Sequence, residues 1–208
     1  MRNCIYTAHC SENVCDKSCP IFVQTSYLLE RNNISLDSSI MKTSYDKIPK
    51  MLSILKKFEG KIGAVHTKYT IETSELLTYC AICQNWSGSQ LHCNVYRLKF
   101  SKYLEDTKLS WNTRSESEAL EYMRIWSNSA KVLIVSNLDY VNFGDFESQT
   151  LLNLIQSRQN TGQTTIVVLP PASKLPNGDN SVNLIGKGSF YKKLIDLLKE
   201  ASVDGYIS

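Results

Sequence analysis

The stretch KVLIVSNLDYVNFGDFESQTLLNLIQSRQNTGQTTIVVLPP, residues 131–171, decides the fold of this chain. Val132 to Val135 form a continuous apolar run, which is typical of a parallel strand covered on both faces. A second apolar run, TTIVVL, is stopped by Pro170 and Pro171. The residues FESQTLLNLIQSRQNTG between these runs predict a helix that ends at Gly162. A strand, a helix and a second strand in this order predict a unit of a parallel sheet.

The same alternation extends outward from this stretch in both directions. We predict further helices in the sequences MLSILKKFEGK (51–61), TSELLTYCAICQNW (73–86, with Thr73 or Ser74 near its start), SESEALEYMRIWSNS (115–129, opened by a serine-rich cap) and SFYKKLIDLLKEA (189–201), and further strands in IGAVHT (62–67) and LHCNVYRLKF (91–100). Strands that alternate with helices of this length predict an α/β protein with a doubly wound or P-loop-like parallel sheet flanked by helices.

The composition limits the classes of function. The chain has 208 residues, 42% hydrophobic content and a formal net charge of +3, so nucleic-acid binding gains little support from charge alone. No apolar run approaches the roughly 20 residues that a bilayer crossing needs. The first residues, MRNCIYTAHC, lack the apolar core of a secretory signal. We therefore expect a cytoplasmic protein without a membrane partner.

A cluster of cysteines opens the chain. Cys4, Cys10, Cys15 and Cys19 follow the pattern C-x5-C-x4-C-x3-C-P. In a chain without export signals, clustered thiols favour metal binding over disulfides. Four soft ligands within 16 residues can surround a tetrahedral ion. The prediction is a small metal-stapled module at the N-terminus, with the helix IFVQTSYLLERNNI leading out of it.

The sequence is compatible with two metal centres, a Zn²⁺ ion and a [4Fe-4S] cluster. The short spacings between Cys10 and Cys15 and between Cys15 and Cys19 favour Zn²⁺. The ending C-x3-C-P is also found in cysteine runs that bind a [4Fe-4S] cluster, which is the alternative. Cys80 and Cys83 lie on a predicted helix, where we interpret them as buried structural cysteines.

The residues that a nucleotide site requires are largely missing. A phosphate loop needs glycines followed by Lys and then Ser or Thr, whereas the segment GAVHTKYTIETS offers only Gly63, Lys68 and Thr70. The strand at 132–135 runs into Ser136 and Asn137 instead of acidic residues that would hold Mg²⁺. Asp139 lies further along the chain and is expected to point elsewhere. These positions predict a degenerate nucleotide site, without a functional ATP site.

The stretch 131–171 resembles the core of the AAA+ helicase loaders of phages and Gram-positive bacteria. In that family an apolar strand ending in two aspartates is followed by a Leu-rich helix, an arginine, a short turn and a sensor strand. Here the helix, Arg158, the turn at 160–162 and the strand spacing match, whereas the aspartates, the phosphate-loop residues and the sensor asparagine are lost. The resemblance implies an AAA+-like fold and a partner-interface role for Arg158. It also implies that a cysteine-rich module contacts the replicative helicase.

These features predict three parts of the chain: a metal-binding module with its helix (1–34), a linker (35–45) and a degenerate AAA+-like domain (46–208). The predicted function is a non-catalytic accessory protein, a pseudo-ATPase that serves DNA replication or a mobile element. Its expected partner is a replicative helicase or an active loader ATPase, with DNA reached through that partner. Two alternatives are an ATP-binding loader with an eccentric phosphate loop and a metal-stapled nucleic-acid-binding module. A generic α/β fold without this resemblance is also left open.

Overall fold

The computed structural model describes residues 20–34, 47–86, 95–141, 143–169 and 205–206. Along the chain the elements are α1 (Pro20–Arg31), α2 (Ile48–Lys57), β1 (Ile62–His66), α3 (Thr70–Trp86), β2 (Val95–Lys99), α4 (Phe100–Thr113), α5 (Glu118–Ser129), β3 (Val132–Ser136), a 3₁₀ turn (Leu138–Tyr140), α6 (Asp145–Asn160), β4 (Thr164–Leu169) and β5 (Gly205–Tyr206). The predicted metal-binding cysteines, the linker and the helix at 189–201 lie outside the described residues.

The strands form one parallel sheet in the order β2-β3-β4-β1-β5. All six residues of β4, the middle strand, are buried. Because every strand runs in the same direction, the carboxyl ends of β1, β3 and β4 meet at one edge of the sheet. The predicted α/β class, with a parallel sheet flanked by helices, is confirmed.

Helices cover both faces of the sheet. The core on one face combines α1, α2 and α3 with strand residues such as Ile134 and Ile166. The core on the other face combines α4, α5 and α6 with Leu133, Val135 and Val167. Successive strand residues therefore point into different cores, and both cores are apolar. This arrangement explains the continuous apolar runs that mark β3 and β4 in the sequence.

Helix α1 packs into the first of these cores. Leu28, Leu29 and Ile34 are almost completely buried there, together with residues of α2 and α3. The predicted boundary after residue 34 therefore passes through a shared core, because the end of α1 belongs to the α/β body. The residues before Pro20, which carry the four predicted metal ligands, lie outside the described residues.

Two predicted helix starts have different outcomes. Helix α5 begins as predicted at a serine cap, since Ser117 accepts a hydrogen bond from the backbone N–H of Leu120 at 3.2 Å. Helix α3 begins at Thr70, before the predicted start at Thr73 or Ser74. The Thr73 hydroxyl instead contacts the hydroxyl of Thr67, so it does not cap the helix.

Candidate functional site at the carboxyl edge of the sheet

Only three residues, Thr67 to Tyr69, connect β1 to α3. The N–H of Thr67 donates to the carbonyl oxygen of Leu169 at 2.9 Å, which extends the pairing of β1 with β4. The N–H of Tyr69 donates to Oγ1 of Thr67 at 3.1 Å, as in a turn closed by a threonine side chain. Two of the three backbone N–H groups in this turn are therefore already used inside the protein.

The threonine side chain also ties the turn to the helix that follows. Oγ1 of Thr67 lies 3.1 Å from Oγ1 of Thr73, and the N–H of Thr73 donates to the carbonyl of Tyr69 at 2.9 Å. A phosphate loop works because glycine-rich backbone lets several free N–H groups turn inward around an anion. The turn in this protein is short, has no glycine and is held by its own hydrogen bonds.

Gly63 does not belong to this turn. It is the second residue of β1, where it pairs with Ile166, and it is buried. A Cβ atom at Gly63 would lie 2.3 Å from the Phe58 ring, so the glycine makes room for that ring. Its predicted place in a degenerate phosphate loop is therefore wrong, and its role is to allow close packing of Phe58 on the strand.

Ser136 and Asn137 lie at the end of β3, as predicted. Ser136 is fully buried, and its hydroxyl donates to the carbonyl oxygen of Leu98 at 3.3 Å. Asn137 has a φ of +62°, a left-handed conformation that asparagine tolerates better than most residues. Together they turn the chain from β3 into the 3₁₀ turn, and neither side chain supplies a carboxylate for Mg²⁺.

Asp139 lies at the same edge of the sheet, in contrast to the prediction that it points elsewhere. The hydroxyl of Thr70, at the first position of α3, donates to Oδ2 of Asp139 at 3.1 Å. The 3₁₀ turn brings this carboxylate back across the end of β4. A hydroxyl at a helix start beside an aspartate after the third strand is the pair of groups that holds Mg²⁺ in phosphate-loop ATPases.

Two tyrosines flank this hydrogen bond and are exposed. Tyr69 precedes Thr70 and is 60% exposed, and Tyr140 follows Asp139 and is 65% exposed. Nζ of Lys47 lies 5.9 Å from the centroid of the Tyr69 ring. Sequence reasoning missed that these tyrosines flank one site, because they are 71 residues apart and come to the same edge of the sheet only through the fold. The predicted site residue Lys68 is exposed on the same turn.

Arg158 is not at a partner interface, so that prediction is wrong. It is 1% exposed, and its guanidinium lies between α5, α6 and β4. Nη2 donates to the carbonyl oxygens of Ala130 and Thr164, each at 2.8 Å. Nη1 donates to the carbonyl of Ser127 at 2.9 Å, and Nε donates to Oγ1 of Thr165 at 2.6 Å. Burial lowers the pKa of the Arg158 guanidinium to about 10.

The cysteine predictions have separate outcomes. Cys80 of α3 is fully buried in the core that this helix forms with α1 and α2, and burial raises the pKa of its thiol to about 12. The interpretation of Cys80 as a structural cysteine is therefore confirmed. The side chain of Cys83 and the four predicted metal ligands lie outside the described residues, so their predictions remain open.

The fold resembles those of two replication proteins of known structure. A structure of the DnaC helicase loader matches over 85% of this chain and 95% of its own, at 13% identity and a TM-score of 0.50. Domain III of the replication initiation protein DnaA from Thermotoga maritima matches over 88% of this chain and 67% of its own, at 10% identity and a TM-score of 0.53.

At such low identity the likeness shows the fold alone: the α/β fold with a parallel sheet flanked by helices is shared with these structures. No protein-family model matches the chain, and no curated protein matches it. Among the residues that the structure describes, no helix is long and apolar enough to cross a membrane.

Proposed function

We propose that this protein is a non-catalytic accessory protein of DNA replication or of a mobile element. Its AAA+-like sheet serves as a scaffold that docks a replicative helicase or an active ATPase. The fold supports this proposal, because one of the similar structures is a helicase loader and the other belongs to a replication initiator. The four cysteines at positions 4, 10, 15 and 19 remain the proposed Zn²⁺ ligands, with a [4Fe-4S] cluster as the alternative.

The turn from Thr67 to Tyr69 is the observation that carries the non-catalytic part of the proposal. ATP hydrolysis in this class of fold depends on positioning the phosphates and stabilising their charge. Here two turn amides donate within the protein, and β3 ends in Ser136 and Asn137 without a carboxylate. Among the described residues, this turn supplies no phosphate cradle, and the Asp139 carboxylate at the same edge already accepts a hydrogen bond from Thr70.

A nucleotide assay tests this part directly. A fluorescent ATP analogue with Mg²⁺ should show no saturable binding to the full-length protein, and phosphate release should equal the protein-free rate. Lys68→Ala should change neither measurement. Saturable binding that disappears in Lys68→Ala would show that the turn is a working nucleotide site.

A second candidate function is an ATP-binding loader with an unusual phosphate site, and the contact of Thr70 with Asp139 favours it. These two groups are positioned as Mg²⁺ ligands would be. If this candidate is correct, analogue binding should require Mg²⁺ and should be lost in Asp139→Asn. The conservative Thr70→Ser should keep it, because serine retains the hydroxyl.

The exposed tyrosines are the docking residues that we propose at this edge. Tyrosine is enriched among the side chains that dominate protein interfaces. Tyr69→Ala combined with Tyr140→Ala should weaken binding of the purified replicative helicase of the source cell by at least tenfold. Leu109→Ala, which truncates an equally exposed residue of α4, is the matched control and should leave binding unchanged. Equal binding by all three proteins would remove the docking role of this edge.

A further inference from the structure

A second exposed apolar surface lies on α1 and α5, away from the carboxyl edge of the sheet. Val23 and Tyr27 of α1 and Tyr122 and Ile125 of α5 are between 39% and 63% exposed. Exposed apolar residues are ordinary when they occur singly, whereas a contiguous group with a polar rim marks an interaction site.

Arg31 joins the two helices into one face. Val23, Tyr27 and Arg31 are spaced by four residues, so they form one stripe along α1. The guanidinium carbon of Arg31 lies 3.2 Å from the ring centroid of Trp126 and 5.6 Å from that of Tyr122. The stripe on α1 thus continues directly onto α5, and we call this surface the α1–α5 face.

Three exposed acidic residues lie on the same helix stripes. Glu30 is three residues after Tyr27, and Glu118 and Glu121 each precede an apolar member of the face by four residues. Within the described residues, none of these three carboxylates forms an ion pair. The cation of Arg31 is held against aromatic rings, so the acids dominate the charge that the face presents to solvent.

The charge selects the kind of partner. Phosphates of a nucleic acid and anionic lipid headgroups would both be repelled by three unpaired carboxylates. A protein segment with Lys or Arg beside apolar side chains would place its cations against the acids and against the tyrosine ring faces. We propose that the α1–α5 face binds a cationic amphipathic helix of a protein partner. This proposal is independent of whether the sheet edge binds nucleotide.

Two synthetic peptides test the proposal on the full-length protein. The first is an 18-residue amphipathic peptide of Leu and Lys, and the second has the same apolar positions with Glu in place of Lys. Fluorescence anisotropy should show saturable binding of the Leu/Lys peptide and markedly weaker binding of the Leu/Glu peptide. Tyr27→Ala with Ile125→Ala should weaken Leu/Lys binding by roughly tenfold or more. Leu109→Ala, at a similarly exposed apolar position of α4, should leave it unchanged.

A charge variant distinguishes specific binding at the α1–α5 face from nonspecific binding elsewhere on the protein. Glu118→Gln with Glu121→Gln should weaken Leu/Lys binding and reduce its dependence on salt, whereas Glu59→Gln should do neither. Thermal melts of each variant show whether it is folded before its binding is compared.

Three results would overturn the proposal. The first is equal binding of both peptides, and the second is binding that the face variants do not change. The third is a dimer in sedimentation velocity that Tyr27→Ala dissociates, which would assign the face to a second copy of this chain.

Discussion

Arg158 shows how one side chain can hold several elements together. Its guanidinium donates to carbonyl oxygens at the end of α5 and at the start of β4, and every partner that the structure gives it is a neutral oxygen. A planar group with five donors suits this task, because it satisfies helix-end carbonyls that otherwise have no partner within their helix. The residue therefore stabilises the junction between α5, α6 and β4.

Arg158→Met should lower the free energy of unfolding by roughly 3 kcal/mol or more, because it leaves buried carbonyl oxygens without donors. Urea unfolding followed by circular dichroism measures this. Arg124→Met is the control, since Arg124 is partly exposed and pairs with exposed Glu116, and it should change the value by less than about 1 kcal/mol. Similar stability of both variants would contradict the structural role.

Gly63 offers a second test at the scale of a residue. Gly63→Ala places a methyl group against the Phe58 ring in the buried β1 strand, so the free energy of unfolding should fall by about 1–3 kcal/mol. Replacing the ring as well, in Gly63→Ala with Phe58→Leu, should cost less than the sum of the two single changes. Additive losses in urea unfolding would show that the two residues do not constrain each other.

These residue roles could not be predicted from the sequence. The groups that contact Arg158 include Ser127 and Ala130, which are about 30 residues away and meet it only in the folded chain. Gly63 is also ambiguous in sequence, since a glycine at the end of β1 and one inside it look alike. By contrast, the apolar run at 132–135 clearly marks where β3 ends. The sequence alone was therefore enough to predict that Ser136 and Asn137, and no acidic residues, follow that run.

At the scale of elements, Asn32, the residue that follows α1, binds the outer edge of β2 through its side chain. Oδ1 of Asn32 accepts a hydrogen bond from the N–H of Arg97 at 2.6 Å, and its Nδ2 lies 3.4 Å from the carbonyl oxygen of Val95. The carboxamide thus occupies two backbone positions that another strand would use. Edge strands are commonly protected against pairing with other chains, and here the Asn32 side chain provides that protection.

Asn32→Ala should expose the Arg97 amide and speed its hydrogen exchange by about tenfold or more, because the lost bond is buried. The free energy of unfolding should fall by about 1–3 kcal/mol. Asn153→Ala, at an exposed position of α6, should change neither quantity. Unchanged exchange at Arg97 would mean that the Asn32 carboxamide does not protect the edge.

Glu147 links α4 to the start of α6 and makes stability depend on pH. Burial raises the pKa of Glu147, but hydrogen bonds from Lys108 and from the backbone N–H groups of Glu147 and Gly144 outweigh it, so the net effect lowers the pKa. A carboxylate whose pKa is lower in the folded state contributes stability above its unfolded pKa. That contribution is lost as pH falls through the folded pKa.

The parent protein should therefore lose more stability than Glu147→Gln when the pH is lowered from 7 to below about 4. Urea unfolding at the two pH values gives the difference for each protein. Glu105→Gln removes an exposed carboxylate of α4 and should keep the pH dependence of the parent. Parallel pH profiles for the parent and Glu147→Gln would contradict this role.

Most described elements could be predicted from the sequence, and α4 is the informative exception. Its fourteen residues follow β2 without a loop, and few of them are apolar, with Phe100 and Leu104 the main hydrophobic residues that it buries. The apolar signal is therefore weak, and its first residue looks like the end of the strand. The order of the strands in the sheet could not be predicted from the sequence either, because it depends on which face of the sheet α3 and α6 each cover.

Among the residues that the structure describes, the two cores are built from side chains between positions 28 and 169. The cysteines that we propose as metal ligands all precede Pro20. We expect the burial in these two cores to stabilise the α/β body without those cysteines. A metal bound there would stabilise its own short segment, since four ligands within 16 residues close only small loops.

We therefore expect the purified protein to carry one equivalent of zinc, and expect its removal to leave the body folded. A chelator should release the metal, detected with a colorimetric zinc indicator, while the main thermal transition moves by no more than a few degrees.

Cys15→Ser should lower the zinc content and also leave that transition in place, and Cys80→Ser is the contrasting control. Because Cys80 is fully buried in the core of α3, its replacement should lower the transition without changing the zinc content. A brown sample absorbing near roughly 400 nm would indicate a [4Fe-4S] cluster instead. A body that melts when the metal is removed would show that the N-terminal segment is part of the same cooperative unit.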